Sequence, residues 1–477
     1  MTADRFIHSI GGYLPSLRLA RKSAVSALKW SGLGGVREGY RAVAGWDEDP
    51  MTMAVEAART MTRELEAESL IFASTSAYFT ERAQSGLMVD ALGLKRDTRS
   101  LDVAGSRRCA TTALLQALDG TKPAIVAAAD ARATKPGSAH QLLFGDGAAA
   151  IGVGDNGGAR YLGSHSTTHD FIDFYATRDH PTPYGYEERF IRETAVDAIL
   201  LPTIQAACEA AGVAAAEIAY AAVAEPLTGI YPALARKLGL KASNLASDLF
   251  AQAGDLGAAH ASFALGLAFA KAAPGDIVLL AGFGSGCDAL LFEVTGTVLG
   301  AAQMAVALAQ GSALTDYVRF LNLSGGLDLA WGMRAEFEQK AQATVIERHG
   351  RDIIGFVGGR DSTGNVQFPK SRIPVNPALS VPETLEDVRL AEEIGQVVSV
   401  TADRLNYTPD PPFYFGLVQF DNGARVMVEF TDCPASGLAV GDRVRMRLRI
   451  KSLDRRRGFR TYFWKAAPFE RPTLEKQ

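Results

Sequence analysis

The feature that most constrains this chain is a repeat. Leu92-Gly93-Leu94-Lys95 recurs as Leu238-Gly239-Leu240-Lys241. A second pair keeps the same order: Gly145-Asp146-Gly147-Ala148-Ala149-Ala150-Ile151 is echoed by Gly284-Ser285-Gly286-Cys287-Asp288-Ala289-Leu290, across nearly the same interval. Each LGLK ends a helical pattern that follows a short apolar run, and each glycine-led segment opens a strand pattern that closes its half. Ordered matches at nearly one spacing imply a duplicated βα unit. Leu70–Ser74, Ala124–Ala129, Ala219–Ala224 and Ile277–Ala281 read as buried strands, and Met53–Leu65, Thr111–Leu118, Tyr231–Leu238 and Ala258–Ala272 as helices. Strands alternating with helices predict an α/β core whose sheets are covered on both faces.

The chain has 477 residues, enough for two or three domains. Residues 1–155 read as the first half of the repeat and 191–297 as the second. Between them, 156–190 is rich in His, Asp and aromatics and reads as an inserted cap or loop. A bridge of mostly helical spacing covers 298–348, and Gly and Pro rise through 349–384. From 385 to 477 the pattern turns to β alternation, over Gly395–Ala402, Phe413–Phe420, Arg425–Phe430, Arg443–Ile450 and Tyr462–Lys465. Asp421-Asn422-Gly423 and Gly441-Asp442 supply turns, so a small C-terminal barrel is predicted.

Several function classes are disfavoured at this point. The formal charge is −4 with Lys and Arg dispersed, which gives no footprint for nucleic acid. The four cysteines, Cys109, Cys208, Cys287 and Cys433, form no CxxC pair, so neither a disulfide framework nor a zinc site is signalled. The first residues lack a signal-peptide pattern, and no apolar run is long enough to cross a bilayer. A cytoplasmic protein without a membrane association is expected.

Glu48–Ala58 (EDPMTMAVEAA) resembles the EDSxTMAxEAA segment of 3-hydroxy-3-methylglutaryl-CoA synthases. GDGAAAI, the Ala253–Ala259 loop (AGDLGAA) and Pro274–Gly286 (PGDIVLLAGFGSG) resemble that family and ketoacyl synthase III. The resemblance runs through residues 5–297. It implies a duplicated five-layer thiolase-like fold, a homodimer, and acyl-CoA thioester substrates. Coenzyme A enters as part of the substrate, and no separate cofactor is implied. Residues 345–470 resemble the OB-fold acyl-CoA-associated domain that partners thiolase-like proteins. Such partners carry a zinc ribbon before the barrel. Here Gly358–Pro377 stands in its place, keeping Gln367-Phe368-Pro369 but none of the four cysteines, so no metal is expected.

The resemblance also points to site residues. Its acyl transfer uses a cysteine at a helix N-terminus, where dipole and backbone amides favour the thiolate and an oxyanion. Cys109 lies in that segment beside Arg107 and Arg108, which predicts a depressed thiol pKa; a gapless match of the following helix sets Arg107 in the cysteine's place. Ser106 reads as that helix's N-cap. Thr75 falls where the synthases have a general-acid glutamate. Their His-x-Pro appears as Ala224-Glu225-Pro226, and the loop asparagine appears as Asp255. His260 directly follows that loop, and Asp255 is expected to orient its imidazole. Cys109, His260, Asp255 and Glu225 are thus the candidate catalytic groups, and Arg107, Thr75 and Ser285 the candidate substrate-binding ones. His169, Asp170 and the basic loop Arg455-Arg456-Arg457 are weaker candidates. The leading expectation is a hydroxymethylglutaryl-CoA synthase-like acyltransferase working through Cys109. The alternatives are aldol or retro-aldol chemistry on an acyl-CoA thioester without a covalent intermediate, and a silent acyl-CoA-binding scaffold.

Overall fold

A computed structural model describes residues 4–35, 38–61, 65–330, 343–381 and 384–474. The expected helical turn at 62–64 and residues 331–342 of the expected bridge lie outside the described residues.

The first half supplies strands β1 (Phe6–Tyr13), β2 (Ser69–Ala73), β3 (Arg99–Val103), β4 (Ala124–Asp130) and β5 (Gly147–Gly154). Its helices are α1 (Pro50–Thr60), α2 (Gln84–Leu92) and α3 (Cys109–Asp119). The second half supplies β6 (Ala159–Thr168), α4 (Leu201–Ala211), β7 (Ile218–Val223), α5 (Tyr231–Leu238), α6 (Leu245–Ala253), α7 (Ala259–Phe269), β8 (Ile277–Phe283) and β9 (Gly286–Val294). The strands join in one nine-stranded sheet, ordered β7-β8-β9-β6-β1-β5-β4-β2-β3. Counted outward from the middle, each half has the same order, and the second lacks the outermost strand. At that edge Asn244 makes an isolated parallel bridge to Ala221, and its side-chain amide exchanges two 2.9 Å hydrogen bonds with the Val223 backbone. One amide side chain thus satisfies backbone groups that a strand would have paired.

The recurring LGLK has a local cause. Gly93 and Gly239 end α2 and α5 at φ +69° and +72°, and the following leucine amides, Leu94 and Leu240, reach back 2.9 Å to Val89 and Ala235 carbonyls. Left-handed glycine caps of this kind need a residue without Cβ. The glycine-led segments open β5 and β9, which run antiparallel to β4 and β8.

All eleven residues of α7 are buried. This fully buried helix packs on strands of both halves and on α3, forming the middle layer. Helices α1 and α2 cover the first half-sheet from outside and α4 covers the second, so five layers alternate helix and strand. The half-sheets touch through a short β1–β6 ladder, Phe6 to Arg160 and Ile7 to Ala159. The segment expected to be an insertion begins differently. Residues 159–168 are the core strand β6, paired with β9 from Gly286–Thr168 to Val294–Ala159. Its Ser, Thr and His residues hid it, because most of its side chains are only partly buried. The cap proper starts at His169 and includes a small hairpin, Phe174–Tyr175 with Tyr184–Gly185.

The barrel strands are β10 (Ile394–Asp403), β11 (Phe413–Phe420), β12 (Arg425–Glu429), β13 (Arg443–Asp454) and β14 (Phe459–Pro468), ordered β12-β11-β10-β13-β14. Phe430 bridges to Ala466, which draws the two sheet edges together into a nearly closed barrel. The barrel is not a loosely tethered body. Its strand β13 lies against α1, where Asp47, Glu48, Asp49 and Glu56 face basic side chains of the barrel. Lys465 stands 2.9 Å from Asp47, Arg449 3.1 Å from Glu48, Arg460 3.0 Å from Asp49 and Arg447 2.9 Å from Glu56. The EDP segment that opens α1 therefore both caps its helix, through an Asp49–Thr52 capping box, and docks the barrel.

In the stretch expected to stand in a zinc ribbon's place, a three-stranded sheet is formed by Val357–Arg360, Val366–Gln367 and Glu386–Arg389. Side chains pin its turns. The Asp361 carboxylate accepts from the Thr363 and Asn365 amides at 2.9 Å each, and the Gln367 amide binds Val375 N and Ile373 O at 2.7 and 3.0 Å. Asp361 and Gln367 thus hold these turns through local hydrogen bonds alone. Elemental analysis is expected to read well under one zinc per chain, and a chelator to leave the thermal unfolding transition in place. A stoichiometric zinc whose removal unfolds the C-terminal region would overturn this.

Candidate active site

The cap hairpin, the segment before α3, the loop before α7 and the turn after β7 enclose a cavity of about 280 Å³. Arg107, Glu225, Asp255 and His260 all line it, so four of the seven candidate residues meet there. Thr75, Ser285 and Cys109 are not on its wall.

Arg107, which the gapless match sets in the cysteine's place, lies just before α3 on the cavity wall. Its side chain is 10% exposed, and its guanidinium pairs with Asp173 of the cap, stands 3.7 Å from Asp255, and lies 4.5 Å from the centre of the Phe174 ring. Burial lowers its pKa to about 10, against the pull of Asp255. The glycine loop after β8 closes on the same backbone: a Cβ on Gly284 would stand 3.0 Å from the Arg107 and Arg108 amide nitrogens. Ser106 does not cap α3; its hydroxyl donates to the Gly284 carbonyl at 3.0 Å and ties the two segments together. Arg108 faces away, toward Thr167 O at 2.9 Å and Asp288 at 3.4 Å.

Cys109 is the first residue of α3 and is 3% exposed. Its thiol pKa is pushed up, first by burial and then by Asp130, which corrects the expected depression. The helix dipole acts there, but desolvation of the thiolate is the larger effect.

His260 also departs from expectation. Its Nδ1 accepts from the Leu256 amide at 3.2 Å and its Nε2 faces the Ala246 carbonyl at 3.0 Å. Both nitrogens are spent on backbone, and burial lowers the imidazole pKa. Asp255 does not orient this ring. Its carboxylate accepts from Gly257 N at 2.9 Å and pairs with Arg132 at 3.1 Å as well as with Arg107. Burial raises the carboxyl pKa, but Arg132, His260 and Arg107 together hold it well below the usual carboxylate range.

Glu225 accepts from the Ile230 and Tyr231 amides at 2.7 and 2.9 Å, and from the Ser247 hydroxyl at 2.7 Å. It therefore fixes the start of α5 while facing the cavity. Thr75 donates to Asp130, 2.8 Å away. That buried carboxylate also receives Ser74, Ser76 and the Ala258 amide, at 3.0, 2.8 and 2.8 Å. Asp130 is the hub joining the ends of β2 and β4 to the loop before α7. The sequence offered no signal for it beyond an acidic residue ending an apolar run. Ser285 sits in a left-handed turn at φ +48°. His169 and Asp170 are exposed in the cap. Arg455 and Arg460 border a separate cavity of about 420 Å³ between barrel and core.

The fold is thiolase-like, followed by an OB-fold domain. Residues 208–293 match the family model of the 3-oxoacyl-[acyl-carrier-protein] synthase III C-terminal region, and residues 387–449 that of the ChsH2 C-terminal OB-fold domain. The hydroxymethylglutaryl-CoA synthase of Aeropyrum pernix is 28% identical over 313 residues, covering 61% of this chain and 85% of that protein. That of Pyrococcus horikoshii is 26% identical over 305 residues, covering 61% and 86%. Among solved structures, a hydroxymethylglutaryl-CoA synthase complexed with CoA superposes with TM-score 0.59 at 18% identity, over 71% of this chain and 95% of that one. The 3-oxoacyl-(acyl carrier protein) synthase III of Pseudomonas aeruginosa does so at TM-score 0.53 and 18% identity, over 62% and 99%. Among the described residues no helix is long and apolar enough to cross a membrane.

Proposed function

We propose that this protein makes or breaks a carbon–carbon bond beside an acyl-CoA thioester by aldol or retro-aldol chemistry, without a covalent acyl-enzyme. The observation that carries this reading is the placement of Arg107 and Cys109 at the start of α3. Arg107 stands on the cavity wall, whereas Cys109 is 3% exposed and off that wall. A thiol that is buried and raised in pKa is a poor nucleophile, because the thiolate is the reacting form. What the cavity retains suits a non-covalent route. The positive end of α3 and the Arg107 guanidinium favour charge developing on a thioester oxygen as an enolate forms. Aromatic and aliphatic walls, including Phe144, Phe174 and Phe250, exclude water from that charge. The similarity to synthases that act on acyl thioesters supports the substrate class.

Intact-mass spectrometry after incubation with a panel of acyl-CoAs tests this. No acyl adduct is expected on the wild-type chain, and Cys109→Ala is expected to keep turnover within about threefold, since a cysteine outside the reacting atoms contributes packing alone. A persistent adduct that disappears in Cys109→Ala would reinstate acyl transfer through that thiol. Tight thioester binding without any turnover would favour the silent scaffold.

A further inference from the structure

Aldol chemistry at a thioester needs a group to move the proton at Cα, and the cavity presents two imidazoles. His260 spends both nitrogens on backbone groups. His140 does not. It is the second residue of the short helix Ala139–Leu143 and packs against the rings of Phe144 and Phe174, with centroids at 5.2 and 5.7 Å. Among the described residues its ring has no hydrogen-bond partner. The cap hairpin lies directly against it: a Cβ on Gly185 would meet Cε1 at 3.3 Å and Nε2 at 3.5 Å. The ring is therefore held by packing, with its nitrogens uncommitted, on a wall shared with Arg107, Asp173, Glu188 and Asp255.

We propose that His140 is the catalytic proton-transfer residue of this cavity, taking the Cα proton of a bound acyl thioester and returning it. The proposal rests on the aldol reading above. In the step, the Cα–H bond breaks, its electron pair passes into the enolate, and the proton bonds to a ring nitrogen to give the imidazolium. Reversal restores neutral imidazole and the thioester, so no further reactant is consumed. The surroundings suit a base at neutral pH. Burial lowers the His140 pKa, and Arg132 and Arg107 lower it further, against an opposite pull from Asp255. Asp173 and Glu188 face the cavity from the cap side. The uncharged form thus persists to lower pH than in a free histidine, whose pKa is about 6.5.

Hydrogen exchange at Cα reads this step without knowledge of the second substrate. Protein is incubated in D2O with acetyl-, propionyl- or isovaleryl-CoA, and deuterium in the acyl group is counted by mass spectrometry. Wild type is expected to exchange at least one of the three, with the acid limb of its rate profile below the ordinary histidine range. His140→Gln is expected to lose about two to four powers of ten in exchange rate, the usual worth of a general base, with thioester affinity by calorimetry within a few fold. His140→Phe, which keeps the aromatic packing, serves as a folded control and is expected to lose as much. Exchange within threefold of wild type in either folded variant overturns the proposal and leaves the aldol reading standing. No exchange by wild type on any of the three thioesters overturns both.

Discussion

Replacing Arg449 by methionine is expected to lower folding stability by about 3–5 kcal/mol, the usual cost of removing one partner from a buried charge pair. Arg449 is fully buried where the barrel meets the core, and its guanidinium reaches Glu48 and Asp432 at 3.1 Å each and the Tyr13 hydroxyl at 2.9 Å. Arg471 reaches the same Tyr13 oxygen at 2.8 Å and Asp432 at 3.2 Å. The Tyr13 hydroxyl donates onward to Glu48. Burial already pushes the Glu48 pKa up, and Arg449 is the largest influence opposing that. Without Arg449, Glu48 is expected to bind a proton, which recovers part of the loss. Chemical denaturation measures the effect, and Arg443→Met serves as control. Arg443 sits on the same strand with 56% of its side chain exposed, 3.3 Å from Asp421, and its loss is expected to cost under about 1 kcal/mol. Equal losses in the two variants would show that the network does not hold the barrel in place. Adding Glu48→Gln to Arg449→Met is expected to cost less than the sum of the two single changes, because the stranded charge is gone.

This network marks where the sequence stopped being legible. The alternation in Arg443-Val444-Arg445-Met446-Arg447-Leu448-Arg449-Ile450 reads as a strand with one wet face. The first arginines are exposed as that pattern requires, but from Met446 to Ile450 every residue is buried. The change occurs where β13 crosses onto α1, and no local signal announces a tertiary contact nearly 400 positions away. The repeat was legible for the opposite reason. A glycine cap and the leucine behind it satisfy the end of their own helix, so the signature is written in consecutive residues. The candidate site lies between these cases. Arg107, Glu225, Asp255 and His260 converge because matched loops of a duplicated fold meet at its centre. The depressed thiol pKa expected of Cys109 and the Asp255–His260 pairing are not found, because burial and backbone partners decide what a thiol or an imidazole can do. His140 gave no signal at all, since a lone histidine in a one-turn helix becomes a candidate only when a distant hairpin lies over it.

Asp255→Asn is expected to be the most informative change at the cavity. The backbone at 255 is held on both sides, its amide 2.9 Å from Leu143 O and its carbonyl 2.9 Å from Gly145 N, so the substitution alters charge more than position. It leaves Arg132 and Arg107 short of one counter-charge, with Arg107 still beside Asp173. A loss of about 2–3 kcal/mol is expected near neutral pH, the range for a hydrogen-bonded charge partly reached by solvent. The pH dependence fixes the cause. The Asp255 carboxyl is held well below the usual carboxylate range in the folded chain, and an unfolded aspartate titrates near 3.9. Its contribution is fully present above the unfolded value and is lost only as pH falls toward the folded one. Urea denaturation should therefore give a constant difference between wild type and Asp255→Asn above about pH 5, narrowing steadily below about pH 4. A difference that stays constant into strong acid would mean that the pairing with Arg132 and Arg107 contributes nothing. The cavity floor would then rest on the backbone bonds at 255 alone.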